Sequence, residues 1–139
     1  VLLRALALID EPWTLDVHGI AEDAEHAERC RALAESPPLR GRVTMHGPLE
    51  PHAVRDAFAF HDLFAFPTAF ENFGHVIPEA LSVACPVLAA DTTPWTPRLA
   101  EGAGFSFCVA GEQDEPLESA GLWLRDLAAR LRSAGGAPS

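Results

Sequence analysis

Two glutamates at positions 71 and 79 have a spacing that could serve a ligand with two polar ends. Gly74 lies between them and allows a ligand to approach the backbone closely. If about five of the intervening positions are helical, the helix contributes ~7.5 Å to the separation of the two glutamates, and the loop adds to it. A carboxylate only accepts hydrogen bonds, so paired sugar hydroxyls are its natural partners, and the helix N-terminus between the two glutamates would receive a diphosphate. A nucleotide sugar has this layout.

The same spacing has a plainer interpretation. Pairs of glutamates at this distance occur by chance in helical proteins, and the helix dipole by itself favours a glutamate in the first turn. On the two carboxylates alone, a structural role is the better interpretation, so the surrounding residues must decide.

Short apolar segments alternate with helical patterns along the chain. We predict strands at residues 13–19, 42–47, 62–67, 86–91 and 104–109. We predict helices at residues 1–9, 21–36, 51–60, 75–84, 94–101 and 116–132. Short, nearly continuous apolar strands separated by helices predict a parallel sheet covered on both faces. Ligands of such α/β sheets bind beyond the carboxyl ends of the strands.

Length and composition indicate one globular domain, residues 1–139, with a flexible tail at residues 133–139. The net charge of −10 argues against nucleic acid as a partner. No apolar run approaches the ~18 residues that a transmembrane helix needs. Cys30, Cys85 and Cys108 are odd in number and far apart, which argues against a disulfide framework and favours the cytoplasm. None of the six histidines shows a zinc-protease spacing, so we expect no metal site.

The string ENFGHVIPEALSVACPVLAAD, residues 71–91, resembles the E-x7-E signature of the retaining, group 1 glycosyltransferases with the GT-B architecture. That signature follows a strand ending in Pro-Ser or Pro-Thr and continues as Glu-x-Phe-Gly, an apolar stretch, Glu-Ala and Pro-Val. The residues that match are Pro67, Thr68, Glu71, Phe73, Gly74, Glu79, Ala80, Pro86 and Val87. The TTPW string at residues 92–95 and GAGFSF at residues 102–107 resemble one subgroup, although we expect Trp95 to pack rather than to stack on a ligand.

The resemblance implies the C-terminal, donor-binding half of a GT-B fold: an α/β, Rossmann-like parallel sheet of order 3-2-1-4-5-6 with helices on both faces. By position, Glu71 would contact the transferred sugar and serve catalysis, and Glu79 would hold the ribose. The amides of Asn72, Phe73 and Gly74 would bind sugar hydroxyls and phosphate. The remaining donor-site residues would be Thr68 and His75, and Met45, His46 and Val76 would border the base. The family uses no metal ion, and the donor is a substrate rather than a cofactor.

Several positions depart from the family pattern. In the family, a strand with Gly-Arg and then a Lys normally precedes the first helix. We expect this central first strand and its two cationic residues to be missing from the chain, which contains no lysine. Cys85 replaces the usual glycine before Pro86, which we expect to reduce backbone freedom. Pro97 lies near the place of a frequent glutamate, and Pro78 is compatible with a helix only if that helix begins near Val76.

These observations predict the donor domain of a glycosyltransferase that acts with retention on a saccharide or lipid-linked acceptor. We expect hexosyl transfer by the full enzyme, with an N-terminal domain or a partner chain, and no turnover by the isolated chain. Peripheral membrane attachment of the full enzyme stays open. Two alternatives also stay open, a non-catalytic nucleotide-sugar-binding module or partner subunit and a nucleotide-sugar epimerase. A pyridoxal-dependent phosphorylase is excluded, because it needs a Schiff-base lysine.

Overall fold

The computed structural model of the protein describes residues 2–68 and 71–107. The strands are β1 (Leu15–Val17), β2 (Val43–Met45), β3 (Phe64–Phe66), β4 (Val87–Ala90) and β5 (Gly104–Phe107). The helices are α1 (Leu2–Leu6), α2 (Ala24–Ala34), α3 (Pro51–Phe60), α4 (Val76–Leu81) and α5 (Thr96–Arg98), and a π-helical turn, Leu99–Ala103, follows α5. The chain divides into two compact units, and the boundary between them falls after Pro48.

The first unit contains a two-stranded parallel sheet, in which Leu15 pairs with Val43 and Val17 pairs with Met45. Helix α2 begins after Asp23, whose carboxylate accepts a hydrogen bond from the amide of His26 at 2.9 Å. This bond satisfies one of the amides that the first turn of a helix leaves free. Buried hydrophobic side chains of this unit include Ala5, Ile9, Ala34 and Leu39.

The second unit contains a parallel sheet of order β3-β4-β5. Strand β4 is buried at all four positions, because the strands on either side and the packed side chains cover it. The core of this unit is formed by Ile77, Ala80, Cys85, Val87, Ala89 and Leu99. Its sheet brings the segments that follow β3 and β4 to the same edge, since the carboxyl ends of parallel strands lie together.

Strand β5 approaches β4 closely at its first residue. A Cβ atom on Gly104 would overlap the carbonyl oxygen of Val87 and would lie 3.1 Å from the side chain of Leu99. Gly104 is therefore required by space and not by its dihedral angles, because its φ of 168° is extended.

The structure confirms the predicted α/β class with parallel, Rossmann-like sheets. In the numbering of the family order 3-2-1-4-5-6, β1 to β5 correspond to strands 2 to 6. The observed pairings β1-β2 and β3-β4-β5 are therefore the neighbours expected, 2 beside 3 and 4-5-6 in sequence. Strands β1 to β4 are shorter than predicted, and helix α4 ends at Leu81 instead of residue 84. The end of the fifth predicted strand, the predicted helix 116–132 and the tail 133–139 lie outside the described residues, and the one-domain organisation stays a prediction. No helix within residues 2–68 and 71–107 combines the length and the apolar character needed to cross a membrane.

Candidate functional site

The loop between β3 and α4 carries the first glutamate of the predicted motif. Within it, Gly74 is buried and has a φ of +73°, a conformation that residues with a side chain rarely adopt. Its carbonyl oxygen accepts a hydrogen bond from the amide of Ile77 at 2.9 Å, which closes the first turn leading into α4. Gly74 therefore sets the direction in which the chain leaves the loop and enters the helix.

Glu71 lies half-buried in this loop, and one of its carboxylate oxygens accepts a hydrogen bond from the amide of Phe73 at 3.3 Å. The carboxylate is thus oriented by its own loop before any ligand arrives. The amide of Phe73, expected to bind the ligand, already has a partner in this arrangement. Within the part of the chain that the structure describes, the amides of Asn72 and Gly74 have no acceptor.

Glu79 lies in the first turn of α4 and is exposed. Its carboxylate has no hydrogen-bond or ion-pair partner among residues 2–68 and 71–107. Helix α4 begins at Val76, so Pro78 stands at its third position, where its missing N–H removes no helical bond. This confirms the prediction that a helix containing Pro78 must begin near Val76.

The side chains of Asn72, Phe73 and His75 are exposed, whereas Val76 and Thr68 are half-buried. The rings of Phe73 and His75 lie 4.6 Å apart between their centroids. The second unit therefore brings together eight of the ten predicted site residues, on the loop after β3 and the first turns of α4.

Trp95, which we expected only to pack, has a second contact that sequence reasoning missed. Its indole Nε1 donates to the carbonyl oxygen of Phe73 at 2.6 Å, and the two rings meet edge to face at 5.6 Å. Nearby, Thr92 Oγ1 donates to the carbonyl oxygen of Thr68 at 2.9 Å. The sequence signal was the TTPW string after the fourth strand, which the parallel sheet places beside the loop after the third.

Met45 and His46, predicted to border the base, stand at the carboxyl end of β2 in the first unit. His46 Nε2 lies 2.7 Å from Asp16 Oδ1, and its ring stacks on that of His18 with centroids 4.5 Å apart. The backbone N–H of His46 donates a hydrogen bond to the carbonyl oxygen of Val17 at 2.8 Å. The sequence did not predict this cluster of Asp16, His18 and His46. Its members lie in or directly after two strands that are about 30 residues apart in the chain.

Cys85 does not occupy the strained backbone position after α4, contrary to the expectation that it would restrict the backbone in place of the usual glycine. The left-handed residue after α4 is Ala84, with a φ of 60°, and not Cys85, which is buried in the core. Burial raises the pKa of the Cys85 thiol above its ordinary value of 9.0, and the charge of Asp62 adds to the effect while an amide hydrogen bond from Phe64 opposes it. Cys85 is thus an inert core residue.

Among the described residues, no group of three or more His, Cys, Asp or Glu side chains is arranged to hold a metal ion. The chemistry available in the second unit consists of hydrogen-bond acceptance by two carboxylates, donation by loop amides and ring contacts.

Comparison with known proteins identifies the family. Residues 1–126 match the model of the family "Glycosyl transferases group 1". A D-inositol 3-phosphate glycosyltransferase of Xylanimonas cellulosilytica is 37% identical over 91 residues, which are 65% of this chain and 22% of the relative.

Two solved structures share the fold. Anabaena HepE, crystallised in complex with UDP and glucose, superposes with a TM-score of 0.70 at 26% identity and covers 91% of this chain. WaaG, a glycosyltransferase involved in lipopolysaccharide biosynthesis, superposes with a TM-score of 0.68 at 23% identity over 94% of this chain. The chain spans 35% of each of these GT-B structures. By its sequence and its α/β fold, the chain belongs to the group 1 glycosyltransferase family.

Proposed function

We propose that this chain is the donor-binding part of a glycosyltransferase that uses a nucleoside-diphosphate sugar. The observation that carries the proposal is the arrangement around Gly74: a carboxylate oriented within the loop at Glu71, and, with respect to the described residues, free amides at Asn72 and Gly74 and an unpartnered carboxylate at Glu79. A neighbour of the same fold is known in complex with UDP and glucose, which supports a UDP-hexose as the first donor to test.

In this proposal, each carboxylate binds hydroxyl groups of a different part of the donor. Glu71 receives hydroxyls of the transferred hexose, and Glu79 receives those of the ribose, because a carboxylate accepts hydrogen bonds but does not donate them. The loop amides, with Thr68 and His75 beside them, line the sugar and phosphate region. Met45, His46 and Val76 border the base in this proposal.

Sugar transfer proceeds through an oxocarbenium-like centre while the nucleoside diphosphate leaves. The protein's main contribution is to orient the sugar and to stabilise the leaving charge. We propose transfer with retention, no requirement for a divalent ion, a saccharide or lipid-linked acceptor, and a cytoplasmic enzyme in which residues outside this chain complete the site. The isolated 139-residue chain binds donor but does not transfer sugar in this proposal.

The roles of the two glutamates are separable by calorimetric titration with UDP and with UDP-glucose. Glu79→Ala should weaken both ligands by about 1.5–3 kcal/mol, the value of a hydrogen bond to a charged group. Glu71→Ala should weaken only UDP-glucose. Glu50→Ala removes the charge of an exposed glutamate before α3 and should change neither affinity.

Three results would count against this assignment. Equal losses for both ligands in the Glu71 variant would remove its role in sugar recognition. A loss of donor affinity on adding chelator would show that a divalent ion is needed. Turnover by the isolated chain would contradict the incomplete site.

A further inference from the structure

Two side chains from the segment after β4 hold backbone carbonyls that flank Glu71 in the sequence. Thr92 Oγ1 donates to the carbonyl oxygen of Thr68 at 2.9 Å, and Trp95 Nε1 donates to that of Phe73 at 2.6 Å. Both donors belong to a segment that contributes no residue to the predicted donor site. The segment after β4 therefore supports the motif loop from outside.

Both polar groups of the Phe73 backbone are engaged in hydrogen bonds. Its N–H donates to the carboxylate of Glu71 at 3.3 Å, and its carbonyl oxygen accepts from Trp95. The side chain of Phe73 is 48% exposed, so burial alone does not hold this residue in place. Two hydrogen bonds in series therefore connect the indole of Trp95 to the carboxylate of Glu71 through the backbone of Phe73.

Trp95 is well suited to this role because it is fixed to the core. It is half-buried and packs against the cluster that contains Ile77 and Leu99. Its carbonyl oxygen accepts a hydrogen bond from the amide of Leu99 at 2.9 Å, and the guanidinium of Arg98 lies 5.8 Å from the centre of its ring. The donor to Phe73 thus belongs to a packed element.

We propose that Trp95 is a positioning residue for sugar recognition. Its indole N–H holds the backbone of Phe73, and the N–H of Phe73 holds the carboxylate of Glu71 in the orientation that receives the hexose. Trp95 acts through Glu71 and touches no ligand itself. This inference rests on the proposed function.

The test is the substitution Trp95→Phe in the full chain, with affinities measured by calorimetry for UDP and for UDP-glucose. Phenylalanine keeps an aromatic ring against Phe73 but removes the N–H. Loss of one neutral hydrogen bond predicts a UDP-glucose affinity reduced about two- to tenfold, with the UDP affinity unchanged.

Trp13→Phe is the matched control. The indole of Trp13 also donates to a backbone carbonyl, that of Ile9 at 3.4 Å, and it also has a guanidinium over its ring, that of Arg42 at 5.1 Å. The control therefore removes the same kinds of contact in the other unit. We expect it to leave both affinities unchanged, so a sugar-specific loss in Trp95→Phe cannot be ascribed to the general loss of an indole.

A double-mutant cycle separates positioning from plain stabilisation. If Trp95 acts through Glu71, Trp95→Phe has no further effect on UDP-glucose affinity in the Glu71→Ala background. If Trp95→Phe fails to fold, benzothienylalanine at position 95 keeps the shape of the indole and removes only the N–H. It should produce the same sugar-specific loss.

The possible outcomes are distinct. A sugar-specific loss that disappears in the Glu71→Ala background supports the inference. Equal losses for UDP and UDP-glucose, no loss for either, or full additivity with Glu71→Ala overturns it. A wild-type protein that binds neither ligand overturns the proposed function instead.

Discussion

Gly74 and Glu71 lie so close that a methyl group on Gly74 would stand 3.2 Å from the Cγ atom of Glu71. The same methyl group would stand 3.2 Å from Cδ1 of Ile77. A distance of this size is tighter than ordinary van der Waals contact, so one of these neighbours must shift if a side chain is added.

The first prediction concerns Gly74→Ala. The variant combines a left-handed φ with steric contact, and the conformation alone costs roughly 1–2 kcal/mol for a residue with a Cβ atom. Gly41→Ala is the matched control, because Gly41 has a φ of +79° and a Cβ atom added to it would meet nothing within 4 Å. Chemical denaturation should show a loss for both variants and a larger one for Gly74→Ala. Equal losses would show that the contacts with Glu71 and Ile77 have no energetic consequence.

The second prediction concerns Thr93, whose hydroxyl oxygen is buried and has no hydrogen-bond partner among the residues that the structure describes. A buried hydroxyl without a partner costs about 1–3 kcal/mol. Thr93→Val keeps the shape and removes this polar group, so its free energy of unfolding should rise. Thr96→Val should do the opposite, because Thr96 Oγ1 donates to the carbonyl oxygen of Thr93 at 2.9 Å. A fall in stability for Thr93→Val would reveal a partner for its hydroxyl.

The third prediction uses the raised pKa of the Cys85 thiol. The folded state binds this proton more tightly than the unfolded state does, so the associated stabilisation is present below pH 9.0 and is lost as the pH rises through the folded-state value. The chain contains no Tyr and no Lys, which leaves few other groups that titrate in this range. Urea unfolding midpoints should fall above pH 9.0 in the wild type and in Cys30→Ser, but not in Cys85→Ala.

The fourth prediction concerns Asp23, the residue before α2. Its hydrogen bond from the amide of His26 lowers the pKa of the carboxyl group below 3.8, so its stabilisation is present above that value and is lost as the pH falls through the folded-state pKa. Asp23→Asn should keep the helix cap and remove this pH dependence, whereas Asp23→Ala should lose the cap. Helicity followed by circular dichroism between about pH 2 and pH 6 distinguishes the two variants. Identical acid profiles for the wild type and Asp23→Asn would contradict the assignment.

The parts of the fold and site that follow local rules could be predicted from the sequence. Pro51 opens α3 and Pro78 requires α4 to begin near Val76, and both elements begin where these prolines indicate. Gly74 was predicted to open the helix and to allow a close approach of a ligand, and the structure adds that its φ of +73° suits a residue without a side chain.

Contacts between distant segments were not predictable in the same way. The bond from Trp95 to Phe73 joins residues 22 positions apart, and that between His46 and Asp16 joins residues 30 positions apart. Their existence depends on the parallel pairing of strands and on rotamers that a single sequence does not specify. The end of α4 was misjudged for a related reason, because the left-handed turn falls on Ala84, a residue with no preference for that conformation.

The contact of Gly104 with Val87 also has a consequence for how the sheet finds its alignment. Residues of a strand that slips by one position change faces, and slippage is a hazard wherever several registers are sterically possible. Here Gly104 stands opposite Val87, at a point where a Cβ atom would overlap the carbonyl oxygen. A slip of one residue would place Ala103 or Phe105 there, depending on its direction, and the nearest other glycine, Gly102, is two residues away. The absence of a side chain at Gly104 thus selects one alignment of β5 against β4 as the strands pair.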